Sequence, residues 1–428
     1  MTQNNQISSN HAVAWVLTLF CLILPVMALL ASKGVVPLLY GTVLLTILCQ
    51  LNAKQAFAVP DRILSWSIVI FLGWCAIATA WSPEPSRGLH TILKLAPLYA
   101  AGLYLIAVAG SLADREKERA LCFLAVGWCL SLGLVVVEIY FGSPLFNLIK
   151  GHADTPYIAL SRMNRGVTAL TILVWPIAAL LLCKTRSWIV AIPLLVLTLL
   201  LPNSQASAAV LGLVVGLMGL GLCLLHRQAS RLVLFATIIG IFVISPLGTK
   251  YLYEKGAMEA DWLQLSARHR IHIWDFTVER FSEKPLIGWG FDASSRMDNG
   301  DAKPFKANRK TKSKKSKNKA ASVNQQTRVG GSRKAASIIP SHPHNAALQV
   351  LLELGIVGAV LAFFVLSLII RKIQKLPDFM RFFATAQFLT ITAVALTAYG
   401  FWQSQWQALI LSSAVTIVLT GRLGRNGK

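Results

Sequence analysis

The sequence predicts an all-α integral membrane protein with about twelve transmembrane helices and one large extramembrane loop between helices nine and ten. Three observations carry that expectation. The 428-residue chain is 55% hydrophobic and only 14% charged, whereas soluble domains carry about 25% charged residues. Its mean hydropathy is +0.59. Apolar runs also recur at a length that spans a bilayer: a hydrocarbon core about 30 Å thick needs about 20 apolar residues per helix.

The runs begin near Ala12, Gly34, Leu64, Thr91, Ala120, Gly166, Trp188, Ser207, Leu232, Ala346, Phe382 and Gln403, those at Gly34 and Trp188 being short. Backbone polar groups in lipid must be satisfied within the segment, so these runs are expected as helices. The first run is followed at once by a second, with no small-residue cleavage site between them. It is therefore expected as a first span, not as a removed signal. The seven cysteines (Cys21, Cys49, Cys75, Cys122, Cys129, Cys183 and Cys223) all lie inside apolar runs and are expected as small packing residues. No CxxC pair stands in the sequence, and the paired histidines are not at helical i, i+4 spacing, so no metal site and no cofactor are expected.

Charge orients the spans. Sixteen Lys or Arg residues lie in short connections after even-numbered spans or in the C-terminal tail, against five (Lys33, Arg87, Lys150, Arg162 and Arg165) after odd-numbered ones. The positive-inside rule then places both termini in the cytoplasm and the long loop outside. Three regions are expected: residues 1–248 with spans one to nine, the loop 249–345, and residues 346–428 with spans ten to twelve and a cytoplasmic tail. Within the loop, 261–296 reads as structured, because Ile271, Trp274, Val278 and Phe281 recur at helical spacing and "KPLIGWGF" follows as a stop and turn. That apolar stripe is expected on the membrane surface or on the helix bundle. Residues 303–334 hold many basic and no acidic side chains and are expected to remain disordered. A polybasic run outside the cytoplasm suits anionic lipid headgroups or a phosphorylated glycolipid better than nucleic acid, and a plain solvated insertion with no dedicated role stands beside that reading.

The titratable residues of interest stand at the ends of that loop. "SHPHNAALQV" puts His342, His344 and Asn345 just before span ten; the proline keeps His342 out of the α region, and Asn345 is a natural helix cap. "SARHRIHIWDF" supplies Arg268, His269, Arg270 and His272, with Arg270 and Trp274 four apart on one helical face. "SRMNRGVTAL" places Arg162 and Arg165 at the start of span six. Arginine forks bind phosphate oxygens, and helix N-termini reinforce their field. A neutral imidazole among them can act as a general base. The plain structural alternatives are a capped loop end for the histidines and headgroup contact for each arginine. Glu138 and Glu353 lie within apolar spans, where carboxylates are functional candidates; Glu353 is expected as a hydrogen-bonding group within the helix packing.

"R-x-x-x-W … PLIGWGF", followed by "HPHN-x-x-L-x-x-x-x-E-x-G-I-x-G" across a loop between late spans, resembles the O-antigen ligase and polymerase superfamily. "RMNRGVTALTILVWP" is similar to its ligase branch. The resemblance implies metal-independent, inverting glycosyl transfer at the periplasmic face of the bacterial inner membrane. The donor would be an undecaprenyl diphosphate-linked glycan and the acceptor a sugar hydroxyl of lipid A–core. It assigns His344 as the base and Arg270 and Arg165 as diphosphate ligands, with Arg162 and Arg268 as further candidates and His342, Asn345 and Trp274 as supporting residues. The sequence departs from the pattern at Gln205, where members often carry an arginine. Two alternatives stand beside this reading: a polymerase using a second lipid-linked repeat as acceptor, and a lipid or anion transporter. No internal repeat or pair of broken helices supports the transporter.

Overall fold

The computed structural model describes residues 2–151, 160–185, 191–204, 206–226, 228–297, 339 and 341–421. The 303–334 run and Gln205 lie outside the described residues. The helices run in chain order α1 (Thr2–Leu30), α2 (Val35–Asn52), α3 (Arg62–Ala78), α4 (Pro85–Ser111), α5 (Asp114–Tyr140) and the short α6 (Pro144–Lys150). They continue with α7 (Asn164–Thr185), α8 (Ala191–Leu200), α9 (Ser207–Leu225), α10 (Ala229–Glu254), α11 (Leu265–Glu283), α12 (Ala346–Gln374), α13 (Asp378–Ala395) and α14 (Ser404–Leu419). The chain is thus an all-α, multi-pass membrane protein.

Each of the twelve apolar runs is helical, but their lengths divide them. Among the described residues nine helices are long and apolar enough to cross a membrane. Two more, Phe379–Ala395 and Ser404–Leu419, are apolar but shorter. The run at Trp188 is described only from Ala191, where α8 covers Ala191–Leu200. Against the expected twelve, the described residues thus hold nine helices of spanning length and two shorter apolar ones.

Helix α7 is the hub of the bundle, packed by α1, α5, α9, α13 and α14. Its residues Leu170, Ile172, Leu173, Val174 and Trp175 are fully buried, and the Trp175 indole N–H donates to Thr390 Oγ1 on α13 (2.9 Å). A helix apolar on all sides belongs in the interior of such a bundle.

Connections of like parity meet. After odd-numbered spans, Ser82 Oγ donates to Phe291 O (3.0 Å), Arg87 pairs with Asp292 (3.1 Å) and Arg296 with Glu84 (2.6 Å). At the even-numbered connections, Lys372 pairs with Asp61 (2.5 Å), Lys184 with Glu118, and Ser230 hydrogen-bonds to Gln374 (3.4 Å).

Helix α11 settles the two placements expected for its apolar stripe: it packs on the bundle, against α10 and α12. The buried face is also shifted from the stripe read in the sequence. Ile271, Ile273, Phe276 and Thr277 are buried, whereas Trp274, Val278 and Phe281 are half-buried. Ile273 and Phe276 join Ala293, Met297, Ile339 and Leu352 in one apolar cluster, each such side chain contributing roughly 1.5–3 kcal/mol on full burial.

Helix α12 is broken at Gly355, whose backbone (φ 65°, ψ −165°) no helix accommodates. The segment 285–290 fills the break. Ile356 N–H donates to Pro285 O (2.8 Å) and Val357 N–H to Leu286 O (3.2 Å). In return Trp289 N–H and Gly290 N–H donate to Leu352 O and Glu353 O (2.9 Å each). The groups freed by the break are thus paired, as irregular backbone inside a membrane protein requires. A Cβ on residue 355 would overlap the Leu286 carbonyl, which fixes glycine there.

Candidate active site

The broken helix brings the loop to one end of the bundle. Glu353, fully buried, accepts from the Asp292 backbone N–H (2.9 Å), the Ser294 N–H (3.3 Å) and hydroxyl, Gln349 Nε2 (3.2 Å) and Trp402 Nε1. Gln349 in turn accepts the Phe401 N–H (2.8 Å). One carboxylate therefore ties the loop, α12 and the 396–403 turn together, in keeping with the hydrogen-bonding role expected of it. Glu138 does related work elsewhere, accepting the N–H groups of Leu145 (2.7 Å) and Phe146 (3.3 Å) at the start of α6.

On this frame sits the histidine pair. Asn345 caps α12, its side chain accepting the Leu348 N–H (3.1 Å). Trp274 of α11 donates its indole N–H to Pro343 O (2.8 Å), pinning the strand that carries both imidazoles. His344 takes a left-handed backbone conformation (φ 58°). Its Nδ1 lies 2.7 Å from Ala398 O. A carbonyl can only accept, so Nδ1 carries the proton and the neutral ring keeps its lone pair on Nε2. The His342 and His344 rings stand 4.1 Å apart, centroid to centroid.

Positive charge surrounds the pair. Burial, reinforced by His344, Arg165 and Arg270, pushes His342 down to about 3. Burial also lowers His344 from its ordinary value, aided by Arg270 and His269 and opposed by the hydrogen bond to Ala398. Both rings are therefore neutral at pH 7. Burial lowers Arg270 as well, though a guanidinium stays charged across the neutral range. Arg165 is exposed in the first turn of α7.

Not every candidate joins this cluster. Arg162 turns toward α6, Nη1 donating to Gly151 O (2.6 Å). Arg268 faces Asp261 (3.6 Å). His342, His344, Arg270 and Arg165 converge, whereas Arg162 and Arg268 are held by local partners.

The 396–403 turn, absent from the candidates drawn from sequence, supplies the rest of the site. Ala398 provides the carbonyl on His344, and Tyr399 stacks on Trp406 (4.6 Å, 20°) beside Arg165 and Thr168. Burial raises the Tyr399 phenol, which keeps it a neutral hydrogen-bond donor. The available signal was the polar and aromatic run "TAYGFWQSQWQ" between two short apolar helices, in an odd-numbered connection.

Such an arrangement can remove a proton from a bound hydroxyl at one face and hold an anionic group at the other. Residues 171–363 match the family described as O-antigen ligase, a stretch that includes Arg270, both histidines and Glu353. Among curated proteins the chain is similar to a "Putative polysaccharide ligase" of Rickettsia bellii, 25% identical over 359 residues covering 82% of this chain and 78% of that protein. A relative of the same description from Rickettsia typhi is 25% identical over 375 residues (85% and 81%). Another, from Rickettsia prowazekii, is 24% identical over 362 residues (82% and 78%).

Proposed function

From the similarity of the chain to the O-antigen ligase family and to polysaccharide ligases, we propose that it belongs to that superfamily and transfers a surface polysaccharide from undecaprenyl diphosphate to a sugar hydroxyl of lipid A–core. The family indicates polysaccharide ligase activity and a lipid-linked glycan as substrate; donor, acceptor and mechanism are our reading. The observation that carries it is the His344 ring, fixed with Nδ1–H on Ala398 O (2.7 Å) and Nε2 unprotonated, beside Arg270.

In this mechanism the acceptor hydroxyl meets Nε2 of His344, which takes its proton. The oxygen forms a bond to the anomeric carbon from the side opposite the diphosphate. The bond from that carbon to the phosphate oxygen breaks, and its electron pair leaves with undecaprenyl diphosphate, so the anomeric configuration inverts. Arg270 and Arg165 hold the diphosphate and stabilise the negative charge growing on it, the role for which fixed cations are most effective. They do so without a divalent metal. The connections after odd-numbered spans then face the periplasm and both termini the cytoplasm, as the sixteen-to-five distribution of basic residues favours.

The test is transfer by the purified chain in lipid vesicles. It is given undecaprenyl diphosphate-linked glycan with either lipid A–core or a second lipid-linked repeat as acceptor, in the presence of chelator. Glycan on lipid A–core is expected. Elongation of the lipid-linked repeat instead would make the chain a polymerase, and activity abolished by chelator would overturn the metal-free mechanism.

A further inference from the structure

The second histidine, His342, has its own geometry. It is 9% exposed, and its Nδ1 accepts the His344 backbone N–H (3.2 Å). That contact is a side chain gripping the N–H two residues on, the bond that an Asn or Asp makes in an Asx-turn. It closes over Pro343 and ends on the N–H of His344, whose left-handed conformation costs a residue with a Cβ roughly 1–2 kcal/mol. The ring's other nitrogen lies 3.2 Å from the Gln403 amide. With Nδ1 accepting, a neutral His342 carries its proton on Nε2, so the amide presents its oxygen there; the two amide atoms exchange places by a half-turn. Both nitrogens of His342 are thereby occupied, whereas among the described residues His344 Nε2 meets no hydrogen-bond partner. The ring fits only because residue 400 is glycine: a Cβ there would stand 2.7 Å from His342 Cδ2.

We propose that His342 is a positioning residue, locked between the His344 backbone and the Gly400–Gln403 turn so that the His344 imidazole is held on Ala398 with Nε2 presented to the acceptor hydroxyl. This rests on the reading of His344 as the base. The two rings divide the labour: one moves the proton, and the other fixes the backbone and the turn that aim it.

The experiment measures transfer kinetics in vesicles for four variants, each first checked for insertion and monodispersity. His342→Ala is expected to lower kcat about 100-fold, the cost of misplacing a catalytic group by about 1 Å, with the KM for lipid-linked donor unchanged. His342→Asn, which keeps an acceptor at the Nδ1 position but has no basic nitrogen, is expected to restore most of that loss. Gly400→Ala retains both histidines and is expected to lower kcat in the same way as His342→Ala. His344→Ala serves as the reference for loss of the base. A His342→Asn variant as inactive as His342→Ala would overturn the positioning role. Wild-type kcat in His342→Ala would do the same while leaving the His344 reading intact. Activity retained in His344→Ala but lost in both His342 variants would make His342 the base and overturn both readings.

Discussion

At His344 one hydrogen bond decides what the ring can do. Because Ala398 O can only accept, the proton sits on Nδ1 and the free lone pair on Nε2. Burial, Arg270 and His269 hold its pKa below the ordinary value of 6.5. In the proposed mechanism the active form is the neutral ring, so activity should be lost only as pH falls through that lowered value. The acid limb of kcat/KM should lie below pH 6.5, measured as initial transfer rates across pH 4–8; a limb above pH 6.5 would contradict the electrostatic environment described.

The arginines separate in the same way. Arg270→Lys, which keeps the charge but loses the planar fork, should lower kcat by about 10²-fold, as expected when a donor to developing charge is removed. Arg162→Lys should leave transfer nearly unchanged, since the guanidinium serves Gly151 O at the end of α6. Equal losses in the two variants would refute the distinction. The sequence identified the titratable residue types and their loop ends, but not which arginines have other partners. Those partners are backbone carbonyls and a carboxylate, which leave no mark in composition.

Helix α12 shows how the two signature segments work together. "PLIGWGF" and "E-x-G-I-x-G" are far apart in the chain, yet the first lies in the break of the second, exchanging backbone hydrogen bonds on both sides of Gly355. Gly355→Ala should destabilise the protein by at least about 1–2 kcal/mol from the left-handed backbone alone, read as a lowered Tm in detergent. An unchanged Tm would mean the break tolerates a Cβ. Glu353→Ala, which leaves five donors without their acceptor, should lower Tm further, each buried donor costing about 1–3 kcal/mol. The sequence showed a stop and turn at "PLIGWGF" because proline and glycine mark one locally. It could not show the docking, since the helix break at Gly355 is set by a distant partner segment, residues 285–290. The buried face of α11 slipped from the expected stripe for a similar reason: Ile273 and Phe276 are drawn by Leu352 and Met297, contacts that helical periodicity alone does not encode.

Across the bundle, charge and hydropathy made most of the architecture legible. All twelve apolar runs are helical, and connections of like parity meet one another. What they concealed is that the short runs do specific work. The turn between α13 and α14 closes the site through Ala398, Trp402 and Gln403, and the only titratable group it contributes is Tyr399. The membrane orientation we propose from the charge bias can be checked in a variant with the native cysteines replaced. Lys255→Cys should react with an impermeant maleimide in intact spheroplasts, and Ala113→Cys only after lysis; the reverse pattern would put the histidines on the wrong side of the membrane for a periplasmic acceptor.

The most direct test is the rate of glycan transfer by His344→Ala beside the unaltered chain, in the same vesicles with saturating donor and acceptor. The expected result is a loss of about 10²–10⁴-fold, the usual contribution of a positioned proton acceptor, with donor binding preserved by Arg270 and Arg165. Transfer at the unaltered rate would contradict it, because no neutral imidazole would then be needed where the cationic loop and the α13–α14 turn converge.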